Sequence, residues 1–150
     1  MNISNSFSIS ASALTAQRLR MDVISSNIAN AETTRASVTN GEAVPYKRKM
    51  VVLEPNKTSF NSLLQNQMKG SGSGEGVRVS EIREDQSPLK PVYDPTHPDA
   101  NADGYVYMPN VDIAKEMVDM ISASRSYEAN VTALNSTKAM ISKALEIGRA

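Results

Sequence analysis

Proline and glycine divide this chain into three, and no other feature constrains its fold as strongly. The stretch from about Thr34 to Met108 holds six of the seven prolines and six of the seven glycines, which excludes long helices there. The two flanks repeat apolar residues in alternating steps of four and three, the spacing of one helical face. From Ile3 to about Ala31 the seam runs Ile3, Phe7, Ser10, Leu14, Gln17, Met21, Ile24 and Ile28. From Val111 to about Ile147 it runs Ile113, Met117, Met120, Ser124, Tyr127, Val131, Leu134, Lys138, Ile141 and Leu145. Six of the first eight and eight of the second ten are apolar, so both flanks are predicted as long helices. Pro109 and Asn110 ahead of the second helix and Gly148 behind it supply start and stop signals.

The middle is predicted to hold short strands at Tyr46 to Leu53, Val77 to Arg83, Leu89 to Tyr93 and Tyr105 to Met108, each bounded by Gly, Pro or Asp. Ser59 to Met68 reads as a short helix, and the Gly/Ser run within 69–76 as a flexible linker. The expected fold is α+β: long N- and C-terminal helices pair as a coiled-coil-like core formed by residues 1–33 and 109–148. A small β-rich outer domain then occupies 34–108.

A helix from Val111 to Ile147 spans roughly 55 Å, whereas a middle of this length folds to a radius of gyration near ~11 Å. The helix therefore overhangs its own domain, and neither end helix is expected to be stable without neighbours on more than one side. One outcome is an intramolecular hairpin, which would make the chain a non-enzymatic binding module. The other is intermolecular assembly. The flanks carry many small residues beside the seams, among them Ala11, Ala13, Ala16, Ser26, Ala123, Ala133 and Ala139, and few charges. Small residues let helices approach closely on several sides, which favours packing against several neighbours.

Other chemistries find little support. Sixteen basic residues balance sixteen acidic ones, so no long-range field recruits nucleic acid or an anionic membrane. There is no cysteine, which removes disulfides, thiolate chemistry and Cys-ligated zinc. The N-terminal residues lack the basic and apolar regions of a cleaved secretory signal, and no apolar run is long enough to insert across a bilayer. Asp99 to Gly104 copies the first half of a calcium loop, but its twelfth position would be Asn110 and not a bidentate Glu, so a turn held by Asx side chains is expected. His97, the single histidine, has no partner residue type for zinc and no nucleophile motif beside it. No cofactor, metal site or enzymatic activity is expected.

Two segments carry a family resemblance. Ser25-Ser-Asn-Ile-Ala-Asn-Ala-Glu-Thr33 resembles the N-terminal signature of the bacterial flagellar rod and hook axial proteins. The segment from Asn110 to Asn130, with Tyr93 to Tyr105 ahead of it and Tyr46-Lys-Arg-Lys49, is similar to the C-type branch of the proximal-rod proteins. The resemblance implies a subunit of the tubular drive shaft in the flagellar basal body of the cell envelope. It also implies passage through the flagellar type III export apparatus without a cleaved signal. Terminal helices would line an inner tube around the export channel, with a β-rich outer domain. Partners would be copies of the chain, other rod proteins and the rod-to-MS-ring adaptor. Asn27 and Asn30 in the signature suit capping or bridging at a helix end. Together with the apolar members of both seams they form the expected assembly interface. Arg125 and Glu128, flanking Tyr127, read either as a surface pair or as a neighbour contact.

Overall fold

A computed structural model describes residues 3–39, 42–56 and 75–148. The helix predicted at Ser59 to Met68 and most of the Gly/Ser linker lie outside the described residues. The fold is α+β: two long terminal helices and a middle of short antiparallel strand pairs. Helix α1 covers Ile3–Ala29 and α2 covers Ile113–Ile147. Helix α1 closes at Asn30, whose Nδ2 donates to Ser26 O at 2.9 Å while Thr33 Oγ1 donates to its Oδ1 at 3.2 Å. Helix α2 starts two residues later than its seam suggested, because Asp112 is the N-cap. Its carboxylate accepts from the Ala114 N–H at 3.0 Å, and its carbonyl accepts from Glu116 N–H at 2.9 Å.

The strands form three two-stranded ribbons among the described residues: β1 (Ser37–Thr39) with β2 (Glu42–Val44), β3 (Lys49–Pro55) with β4 (Val77–Glu84), and β5 (Lys90–Tyr93) with β6 (Tyr105–Met108). Register pairs Val38 with Ala43 in the first and Val92 with Val106 in the third. Strand β3 begins three residues after the predicted start, since Tyr46 and Arg48 turn inward from a loop. The β1–β2 hairpin was not foreseen. Its strands are too short to display a two-residue alternation.

By compactness the chain divides along a different line from the helix and strand boundaries. One unit comprises Met1–Leu19, Val52–Glu81 and Ala123–Ala150, the other Arg20–Val51 and Ile82–Ser122. In the first, Ser12 Oγ donates to Ile9 O at 2.7 Å and accepts from Val77 N–H at 3.1 Å, fastening the start of β4 to α1. Gly76 permits this approach, since a Cβ there would lie 2.6 Å from Ser12 Oγ. In the second unit Val23, Ile24, Tyr46, Val106 and Val111 form the apolar core around Asn27 and Glu116.

The helical period is as expected, but its phase is rotated. The buried residues of α2 are Glu116, Ala123 and Thr137, with Met120, Tyr127, Leu134 and Ile141 half-buried beside them. This stripe keeps one edge of the predicted seam and replaces the other, Met117, Ser124, Val131 and Lys138, by its neighbours one residue earlier. In α1, Ala16 and Asn27 are more deeply buried than their seam neighbours Gln17 and Ile28, but Ile24, 5% exposed beside Val23 at 9%, keeps the inward place the seam gave it. A single residue turns a helix by about 100°, enough to replace exposed Met117 on the covered face of α2 by Glu116, whose carboxylate meets Arg48 there, and half-buried Ser124 by Ala123.

Candidate functional site

Asn27 is 1% exposed, and its amide is fully used within the second unit. Nδ2 donates to Lys49 O at 2.9 Å and to Glu116 Oε2 at 3.0 Å; Oδ1 accepts from Lys49 N–H at 2.9 Å and from the Tyr46 hydroxyl at 3.0 Å. The side chain thus pairs with both backbone groups of Lys49, as a neighbouring strand would, where β3 begins. Asn27 is a bridge, while the capping expected of this motif falls to Asn30.

Glu116 is 0% exposed. Its second oxygen, Oε1, accepts from Arg48 Nε at 2.6 Å. Arg48, with a side chain 14% exposed, also reaches Asp85 at 3.4 Å and Asp119 at 3.6 Å. Asn110 completes the ring: Oδ1 accepts from Arg48 N–H at 2.8 Å, and Nδ2 donates to Ser87 O at 3.1 Å. Burial works against the Arg48 charge, but the hydrogen bonds and charges of Glu116 and Asp85 outweigh it and raise its pKa. Asp85 is held below the usual carboxylate range, first by the Ser87 hydroxyl and N–H and then by Arg48. With its donors and acceptors paired to one another, the arrangement is chemically a clamp joining α1, the loop before β3, and the start of α2.

The loop between β5 and β6 is a second polar cluster. Asp99 accepts from Arg35 and from Thr34 Oγ1, and both bonds lower its pKa. Asp94 accepts from Thr96 N–H and Oγ1, which lower its pKa too. His97 takes part in the same loop, its Nδ1 accepting from Asp99 N–H at 3.1 Å. Asn101 Oδ1 accepts from the N–H groups of Asp103 and Tyr105, the Asx turn expected of this stretch. Gly104 takes φ +78° in this turn. Among the described residues no group of His, Asp and Glu is placed to hold a metal ion, and no helix is long and apolar enough to cross a membrane.

The depressed carboxylates set a pH dependence. A carboxylate whose folded pKa lies below its unfolded value adds stability above the unfolded pKa, near ~3.9, and loses it as pH falls through the folded value. Asp85, Asp94 and Asp99 should therefore hold the second unit at neutral pH and release it progressively below about pH 4. Tyrosine near-UV circular dichroism during acid titration reads this, since the chain has no tryptophan. An unchanged acid profile after replacing all three by asparagine would contradict it.

The expected interface residues fall into different settings. Ile24 and Asn27 are buried in the chain itself, Leu14, Met21, Ile28, Asn30, Met120, Tyr127, Val131, Leu134 and Ile141 are half-buried, and Phe7, Ile113, Met117 and Leu145 are exposed. The side chain of Ile3 lies outside the described residues. Gln17 is half-buried, and its Oε1 has no hydrogen-bond partner among the described residues. Arg125 and Glu128 meet at 3.0 Å as an exposed pair. The seams did not point to Arg48, Asp85, Asn110 or Glu116; the segments that carry the family resemblance contain Asn27, Arg48, Asn110 and Glu116, though no role was read for the last three as a site, and Asp85 lies outside all of them.

Two family matches cover the segments of α1 and α2 that contribute to the clamp. The family described as flagella basal body rod protein matches residues 7–36, around Asn27. The family described as flagellar basal body rod FlgEFG protein C-terminal matches residues 102–147, around Asn110 and Glu116. The flagellar basal-body rod protein FlgC of Bacillus subtilis is 63% identical over 150 residues, covering 99% of this chain and 100% of that protein. FlgC of Borreliella burgdorferi is 46% identical over 153 residues and 98% of both chains, and FlgC of Salmonella typhimurium is 44% identical over 149 residues, 99% of this chain and 100% of its own. With relatives matching along almost its whole length, the chain belongs to the FlgC family of flagellar basal-body rod proteins.

Proposed function

We propose that this structural rod subunit enters the flagellar basal body through its terminal helices, which pack against copies of the chain and other rod proteins as a tube. In this reading the tube is the drive shaft of the proximal rod and encloses the export channel. The strand ribbons of the middle segment form its outer layer. At its base the rod meets the rod-to-MS-ring adaptor, and the chain arrives through the type III export apparatus with no signal cleaved.

One observation carries the proposal. Ile113, Met117, Val118 and Ile121 lie on one side of α2, are 43–66% exposed, and are interrupted there by no charge. A large apolar cluster of this kind marks an interaction surface, and the chain's family names the assembly it serves. Apolar residues are exposed again near the end of α2, at Met140, Leu145 and Ile147. That stretch has little cover, and an isolated helix of such length is marginal in water. The dilute chain should therefore be cut by trypsin at Lys138 and Lys143 while the largely buried Arg48 survives, and incorporation into rods should protect both lysines. Complete resistance of these sites in dilute monomer would sink the proposal in favour of a self-contained helical hairpin.

A further inference from the structure

We propose that the Asn27–Arg48–Glu116 clamp sets the register of α1 against α2, selecting one of several alignments that the rest of the helix surfaces would accept. The buried residues of α2 sit on a single seven-residue line, Glu116, Ala123 and Thr137, with half-buried Asn130 between the last two. A surface that repeats every seven residues looks alike to its partner after sliding by seven. Ala123 carries no group that reads position. Thr137 Oγ1 donates to Ala133 O at 3.0 Å, and Asn130 Nδ2 to Ser126 O at 2.8 Å, so these polar groups are bonded within their own helix in any alignment.

Glu116 differs. Both its oxygens are bonded outside α2, to Arg48 and Asn27, and every side-chain bond of Asn27 likewise leaves α1. These contacts exist in one alignment only. Sliding in one direction is blocked, since only Pro109 to Asp112 separate the paired end of β6 from α2. In the other direction Ala123 would take the place of Glu116, leaving Asn27 Nδ2 and Arg48 Nε as buried donors facing a methyl group. Buried polar pairs of this kind add little net stability over apolar residues but can specify alignment. The inference concerns the fold of one subunit and does not rest on how subunits assemble.

The cysteine-free sequence allows a clean test in the full-length chain. Cysteines at Arg20 and Asp119, whose side chains meet at 3.8 Å, report the observed alignment; cysteines at Arg20 and Ser126 report the slid one. With the clamp intact, a short dimaleimide should cross-link the first pair at least about tenfold more than the second. In N27L/R48M/E116L the two yields should come within about threefold of each other while the helical spectrum is retained. A preserved tenfold preference in this variant overturns the proposal. If the triple variant does not fold, Glu116→Leu alone carries the same measurement. Failure of both to fold also overturns it, because the clamp would then hold the fold together without choosing an alignment.

Discussion

Replacing Arg48 by methionine is expected to destabilise the chain by about 3–5 kcal/mol, the cost of leaving a buried charge without its partner. Methionine keeps most of the arginine stem, so packing is nearly conserved and the loss is electrostatic. Glu116 has no exposure to water and would retain a single donor, Asn27 Nδ2. Asp85 loses its Arg48 contact but keeps Ser87, which limits the secondary damage. Adding Glu116→Leu removes the stranded carboxylate and should recover more than about 2 kcal/mol, so the two substitutions are strongly non-additive. Urea unfolding followed by tyrosine fluorescence measures both, with Tyr46 reporting from the clamp itself. A cost below about 1 kcal/mol for Arg48→Met would place it among ordinary surface changes and show that water reaches Glu116.

The helices and most strands were legible because proline and glycine placement and apolar period are local signals. Phase was not. The seam Met117–Ser124–Val131 and the stripe Glu116–Ala123–Asn130 are one residue apart, and greasiness favours the first. The structure covers the second, because a buried carboxylate there meets Arg48, which lies 68 residues away in sequence. Periodicity weighs side chains one helix at a time and has no term for a partner supplied by a loop. Asn110 does precede α2, as its place beside Pro109 suggested, but for the same reason its partners were not legible: its amide serves Arg48 and Ser87 while Asp112 caps α2. Asn27 was legible through its motif as a cap or a bridge at the helix end; the structure makes it the bridge, to the backbone of Lys49, a partner 22 residues away that the motif did not name.

That phase shift also determines what charging the outer face of α2 should do. Met117→Glu with Ile121→Glu places two carboxylates on side chains that are 54% and 61% exposed, so the folded subunit should lose no more than about 0.5 kcal/mol per substitution. If the face is covered in the rod, each substitution removes about 1.5–3 kcal/mol of apolar burial and adds a charge to be desolvated. The pair should weaken incorporation by at least about 10²–10⁴-fold. Cells carrying this variant should be non-motile and yield basal bodies without the chain, although the purified protein unfolds at the wild-type urea concentration. Lys115→Glu, exposed on another side of the same helix, is the matched control and should assemble. The contrast separates a surface from a core, because a buried seam at Met117 and Ile121 would lose stability and assembly together. Normal rods from the double variant would mean that this face stays in water, and the subunit contacts would then have to be sought on the half-buried stripe of Met120, Tyr127 and Leu134.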